Sequence, residues 1–218
     1  MKTDSELRRD VERELEAEPS VDERRIGVAV LDGIVTLTGE ARSYAEKWQA
    51  ERTVERVSGV RGIVNELLVK PATERSDIDI ARAAADALKW NVLVPSDRVK
   101  VRVENGWLTL DGEVEWEYQR RAAERSVRNL PGVKGISNLI VVRPRVGPTD
   151  VKRKIEEIFE REAVIDAQNI DVQVNGSEVT LTGRVRSWPE RHAAEKAAWS
   201  VPGVTAVHNH LTVEAAAA

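Results

Sequence analysis

One pattern of 63 residues is written three times along this 218-residue chain, at 7–69, 80–142 and 151–213. A period of that length defines repeated structural units and rules out one large core. Three glycines set the register, Gly39, Gly112 and Gly183, closing Val35-Thr36-Leu37-Thr38-Gly39, Leu108-Thr109-Leu110-Asp111-Gly112 and Val179-Thr180-Leu181-Thr182-Gly183. A second glycine follows each after 20 residues, at Gly59, Gly132 and Gly203. The expected modules are 1–71, 76–144 and 148–214, joined by proline-bearing linkers at 70–76 and 143–148 that restrict independent tumbling. A unit of roughly 65 residues buries only about 60% of its unfolded surface, so each is marginal alone.

Within a repeat, apolar residues four apart (Leu7/Val11/Leu15, Ile80/Ala84/Leu88, Val151/Ile155/Phe159) predict a first helix. The period then becomes two, in Ile26/Val28/Val30, Val99/Val101/Val103 and Ile170/Val172/Val174, followed by Asp32-Gly33, Asn105-Gly106 or Asn175-Gly176. Those dipeptides predict β-hairpins. In the third repeat the glycine falls one place earlier, opposite Asp32 and Asn105, which changes the turn type. An alanine-bearing second helix is expected to end at Gly59, Gly132 or Gly203 in a left-handed C′ conformation. A strand Asn-x-Leu/Ile-x-Val closes each unit at Asn65, Asn138 and Asn209. The fold class is α+β: three tandem α-β-β-α-β modules, each a three-stranded mixed sheet with two helices on one face and the other face open.

These motifs are identified with the BON domain family, named for bacterial osmotically inducible and nodulation proteins. The resemblance rests on the Ile/Val-x-Val-x-Val strand, the turn glycine, Val/Leu-x-Leu-x-Gly, the alanine-rich helix, the glycine-valine turn and the closing Asn-x-Leu/Ile-x-Val, in all three repeats. It implies a non-enzymatic module associated with envelope stress that attaches to phospholipid membranes or partner proteins. Many family members are exported. The start Met1-Lys2-Thr3-Asp4-Ser5-Glu6 lacks the apolar core of a signal peptide. A cytoplasmic location is therefore expected, and a periplasmic one only if a leader has been removed.

No constellation suggests catalysis. Zero cysteines exclude disulfides and thiolate chemistry. His208 and His210, two apart on the last strand, have no third ligand near them in sequence and read with His192 as surface histidines; no metal, cofactor or small-molecule substrate is expected. Pairs at Lys47/Glu51, Arg120/Glu124 and Arg191/Glu195 read as i,i+4 helix support. A formal net charge of −4 argues against bulk binding to polyanions, but it divides as −3 over 1–71, +2 over 72–147 and −3 over 148–218.

The middle repeat therefore carries the candidate site. Of six tryptophans, Trp48, Trp116, Trp188 and Trp199 are expected to pack between helices or repeats. Trp90, Val92 and Leu93 are surplus apolar residues beside the shared core position Val21/Val94/Ile165, suited to a bilayer interface or to an inter-repeat contact. Arg98, Lys100 and Arg102, alternating with core valines, point to the open face together with Trp107, Thr109, Leu139 and Val141. The partner expected is an anionic phospholipid surface, or else a protein in a scaffold role, with nucleic-acid stacking as a weaker third reading. The open faces read as apolar in the first repeat (Gly27, Ala29, Ile34, Val64, Leu68), basic in the second and acidic in the third (Asp171, Gln173, Glu178, His208, His210). The first is expected to be covered by another repeat or by a second chain, and the other two to pair with each other.

Overall fold

The computed structural model describes residues 2–71, 73–143, 150–162 and 164–214, so most of the second linker lies outside the described residues. Each repeat forms the expected module. The first comprises α1 (Asp4–Glu16), β1 (Ile26–Leu31), β2 (Ile34–Ala41), α2 (Tyr44–Glu55), β3 (Gly62–Asn65) and β4 (Leu68–Val69). The second comprises α3 (Asp77–Trp90), β5 (Val99–Glu104), β6 (Trp107–Val114), α4 (Glu117–Arg128), β7 (Gly135–Asn138) and β8 (Val141–Val142). The third comprises α5 (Val151–Arg161), β9 (Ile170–Asn175), β10 (Glu178–Val185), α6 (Trp188–Ser200) and an unbroken β11 (Ala206–Val213). In every sheet the second strand is central, antiparallel to the first and parallel to the last, which is split in two in the first two modules.

Local chemistry fixes the ends of these elements. Thr3 and Ser76 cap α1 and α3 by accepting from the amides of Glu6 and Asp79. Asp4 and Asp77, in the first turns of those helices, accept the amides of the hairpin pairs Asp32/Gly33 and Asn105/Gly106 at 2.7–3.1 Å. Both residues of those two turns have positive φ, as a type I′ turn requires. In the third hairpin only Gly176 does (φ 61°), the pattern of type II′, as the shifted glycine implies.

Two sequence expectations change at helix two. The glycines Gly59, Gly132 and Gly203 do have positive φ (105°, 89° and 98°), but α2 and α4 end four residues earlier, so these are not C′ positions. They occupy the third place of turns closed by Val60 N–H to Val57 O, Val133 N–H to Leu130 O and Val204 N–H to Val201 O, at 3.3–3.4 Å. With proline ahead of the glycine in two of the three, that is a type II turn. The recurrent Lys/Arg–Glu pairs, for their part, are not the helix-stabilising ion pairs the spacing suggests. Lys47 Nζ donates to Leu67 O, and Arg191 donates to Leu211 O and Asn209 O. Glu51, Glu124 and Glu195 accept from Asn65, Asn138 and Asn209 Nδ2 at 3.0–3.3 Å, while each asparagine Oδ1 accepts the amide two residues on. The recurring asparagine thus locks the second helix to the last strand, satisfying groups that a broken edge strand would leave without partners.

The modules contact one another through their second helices, in a cycle. From α2 to α4, the Arg128 guanidinium lies 3.7 Å from the centre of the Trp48 ring. From α4 to α6, Arg120 lies 5.3 Å from the Trp199 ring and Arg121 is 4.0 Å from Glu195. From α6 back to the first module, Trp188 Nε1 donates to Val60 O at 3.2 Å and His192 lies 3.1 Å from Glu55. Trp48, Arg121 and His192 are equivalent in the repeat, as are Glu55, Arg128 and Trp199, so the first and third joints are versions of one contact, and the second uses the same helix faces with Arg120 on Trp199 and Arg121 near Glu195. The second and third modules share a continuous core that includes Val127, Phe159, Ala194 and Trp199, whereas the first keeps its own core around Val11, Leu37 and Val54.

This arrangement corrects the expected pairing of sheet faces. With the helix sides meeting each other, all three open faces point outward. Ile34, Val64 and Leu68 are 46%, 42% and 62% exposed, and Arg98, Lys100, Arg102, Asp171, Glu178, His208 and His210 are exposed too. The helical layers are the side that docks, meeting through tryptophan rings stacked on guanidinium groups and through hydrogen bonds.

Candidate functional site

The middle module places an apolar prominence at the end of α3. Trp90 is 85% exposed and Val92 96%, with Leu93 exposed beside them, so the inter-repeat contact is excluded within this chain. The segment is held in shape from beneath. Asn91 N–H donates to Leu88 O, Asn91 Oδ1 accepts from Leu93 N–H at 3.0 Å, Val94 N–H donates to Asn91 O, and Asn91 Nδ2 donates to Ser126 Oγ on α4 at 2.8 Å. Val94 is buried below them, equivalent to buried Val21 and Ile165, as the sequence implied. Three large apolar side chains are thereby presented on an ordered loop, which lowers the entropy lost when they are covered.

The remaining sequence-predicted residues do not gather at that loop. The N-terminus of α3 grips the Asn105-Gly106 hairpin, so Trp107 and Trp90 lie at opposite ends of the module, about 20 Å apart along a helix rising ~1.5 Å per residue. Arg98 sits near the loop end of the sheet and pairs with Glu115 at 3.1 Å. Lys100 and Arg102 follow along β5, but register sets Asp111 opposite Lys100, and Glu104 and Glu113 share the same face. Arg143 joins them by pairing with Glu113 at 3.1 Å, so that with Glu115 four bases stand among four acids, and this face is not the basic stripe read from β5 alone; strand pairing brings in the carboxylates of β6. Trp107 lies flat across the neighbouring strand, its ring so close over Gly135 that an added Cβ would sit 2.4 Å from it, and its Nε1 donates to Ser137 Oγ at 2.8 Å.

The six structural glycines serve geometry rather than chemistry. At Gly39, Gly112 and Gly183 an added Cβ would stand 2.0–2.1 Å from the carbonyl oxygen of Arg25, Arg98 or Asn169, and φ is 111–137°. No side chain fits there. Gly59, Gly132 and Gly203 make the turns described above.

The helix-side joints hold the ionisable groups that sequence reading missed. Tyr44, Glu117 and Trp188 are equivalent first residues of the second helices. Tyr44 packs on the core of the second and third modules, and Trp188 on that of the first. Glu117 is 5% exposed and lies 2.8 Å from Arg120 and 3.0 Å from Arg121. Burial raises its pKa despite the two guanidinium groups. At the joint of first and third modules, burial acts in the same direction on Glu55, but the bond from His192 and the charges of His192 and Arg52 outweigh it and leave the pKa lowered. Part of the signal for these residues lay in the repeat itself: Trp48/Arg121/His192 and Glu55/Arg128/Trp199, at the joints, change identity between repeats, as do positions elsewhere on helix two. A cleft of about 830 Å³ opens at the first joint, lined by Asp22, Arg42, Trp48, Arg125 and Arg128 among others. Of its four arginines, Arg42 is paired with Asp22, Arg24 with Glu23 and Arg128 with Glu124.

Among the described residues no group of three or more His, Asp or Glu is placed to hold a metal ion, and no helix is long and apolar enough to cross a membrane. His208 and His210 are exposed on the third open face, with Glu178 3.6 Å from His208.

The architecture is that of a tandem α-β-β-α-β protein whose helices bind its own modules together and whose sheets and loops face outward. The family model described as "BON domain" matches at residues 3–71, 76–144 and 149–215, and the chain belongs to that family. Osmotically-inducible protein Y of Escherichia coli strain K12 is 32% identical over 119 residues, covering 52% of this chain and 59% of that protein. The chain therefore spans less than two thirds of this relative. Among solved structures, CdsD, a structural protein of the type III secretion system of Chlamydia trachomatis, aligns over 95% of this chain and 92% of its own at 15% identity with a TM-score of 0.27. The PrgH periplasmic domain aligns at 10% identity and a TM-score of 0.22. These scores are too low to inform the arrangement or role of this chain.

Proposed function

We propose that this is a non-enzymatic, stress-associated binding protein that attaches peripherally to anionic phospholipid through its middle module. The observation that carries the proposal is the ordered loop with Trp90 and Val92 almost wholly exposed. A tryptophan at the head of an apolar prominence suits the boundary between headgroups and acyl chains, where its ring is apolar and its N–H stays wet. The name of the Escherichia coli relative supports a link to osmotic stress. Lys89, exposed beside the loop, supplies the attraction to anionic headgroups, while the balanced charges of the sheet, Arg98 paired with Glu115 among them, add little. That balance also weighs against the nucleic-acid reading, because polyanion affinity scales with the number of phosphates neutralised. A cytoplasmic location, with the inner leaflet as the surface, completes the proposal.

Co-sedimentation of the whole chain with anionic and neutral vesicles at two salt concentrations tests it. Attachment should require anionic lipid, weaken modestly with salt, shift Trp90 fluorescence to the blue, and fail in Trp90→Ala and Val92→Asp variants that melt at the parental temperature. Equal pelleting of parent and Val92→Asp would refute the assignment. The shared core of modules two and three makes the whole chain, rather than an isolated module 76–144, the proper reagent.

A further inference from the structure

The three outward faces share one backbone and differ in chemistry, and the first is the exception among them. Register stacks Leu31, Ile34 and Gly62 in one row and Ala29, Thr36 and Val64 in the next, with Gly27 and Thr38 beyond. These two rows and the Gly27–Thr38 pair carry no charge. The charged residues of this face stand at its margin: Glu66 in the break between β3 and β4, and Glu40 held by Arg25 and Lys70. Leu31 is 72% exposed and Leu68 62%, and the cyclic contact of the second helices keeps this face from any other part of the chain. An apolar centre inside a charged margin is the anatomy of a protein interface.

We propose that the open sheet face of the first module is a docking surface for the same face of a second copy of this chain. Charge selects the partner. Laid on the second module's face, the uncharged rows would strip water from Lys100, Arg102, Glu104 and Asp111 without pairing them, and on the third module's face from Asp171 and Glu178. Laid on themselves about a two-fold axis, they meet an uncharged surface, with Glu66 of each copy left at the solvated rim. Small residues at Gly27 and Ala29 let the sheets approach beside the leucine and isoleucine knobs. Extent sets the strength. Three strands about 4.8 Å apart and six residues long at about 3.3 Å each give on the order of 300 Å², well below the ~800 Å² per partner of a stable complex. The dimer is therefore weak and reversible.

Sedimentation velocity of the full chain over a concentration series tests this. The weight-average coefficient should climb from monomer towards dimer as concentration rises. Val64→Lys and Leu31→Glu should each weaken association by about tenfold or more, since a two-fold contact buries the new charge twice. Leu139→Lys, on the second module's face, should leave it unchanged. Circular dichroism and melting of all three variants should match the parent, because the sites are exposed. A chain that stays monomeric throughout overturns the proposal, as does equal weakening by Leu139→Lys. A monomeric chain whose pelleting with vesicles is abolished by Val64→Lys overturns it in favour of a bilayer as the occupant.

Discussion

The helix side and the sheet side of these modules have evolved their differences to opposite ends. On the helix side the repeats diverge at positions where modules meet, Trp48 against Arg128, Arg120 against Trp199, Trp188 against the Val60 carbonyl, and each divergence is consumed inside the chain. On the sheet side they diverge as strongly, yet nothing within the chain answers the difference. One fold thus uses one face to fix its own assembly and leaves the other uncovered. Substitutions on the two sides should separate stability from binding.

The largest effect is expected at the shared core. Trp199→Ala removes a buried ring on which Arg120 stacks, and should cost about 3–5 kcal/mol in denaturant unfolding, felt by modules two and three together. If only one of them loosens, the continuous core is not a cooperative unit. Gly132→Val follows, at roughly 2–3 kcal/mol, because φ is 89° and the new Cβ would stand 2.8 Å from Arg75 Cβ and 2.9 Å from Ile80 Cδ1. Asn138→Ala should cost about 1–3 kcal/mol by leaving the Ile140 amide without its acceptor and the Arg120 carbonyl and Glu124 Oε2 without their donor, and hydrogen exchange should rise first at β7 and β8.

The joint between first and third modules adds a pH dependence. The Glu55 carboxyl titrates below its ordinary value, so it contributes stability that is present above the unfolded pKa and is lost as pH falls through the folded one. Glu55→Gln should therefore flatten the acid limb of the stability profile below about pH 4.5 while changing stability at neutral pH by about 1 kcal/mol. An unchanged acid limb would show that the His192–Glu55 contact does not hold the cycle closed. The smallest effect on stability belongs to the sheet and loop side: Trp90→Ala should shift unfolding by less than about 0.5 kcal/mol and yet reduce vesicle attachment. A large loss of stability there would erase the distinction between the two sides.

Much of this was legible before any coordinates. Period two and period 3.6 follow from which residues can be buried on a strand or helix, so Leu7, Val11 and Leu15, Val35 and Leu37, and their counterparts were assigned to the core correctly. Turn chemistry is equally local, and the shift of Gly176 foretold a different hairpin. The ordered exposure of Trp90 and Val92 was half legible: their surplus over the repeat pattern singled them out, but whether another module covered them did not follow.

What the sequence alone determined is therefore everything set by neighbours along the chain: three modules, their element order, their cores, their turns. Which sides of the modules meet was decided by tertiary structure, because docking compares whole surfaces assembled from distant segments. The charge of an open face was decided there too. Arg98, Lys100 and Arg102 look like a basic stripe when read along β5, where only Glu104 follows at the same spacing, and the pairing of β6 alongside, which no local pattern encodes, sets Asp111 and Glu113 among them.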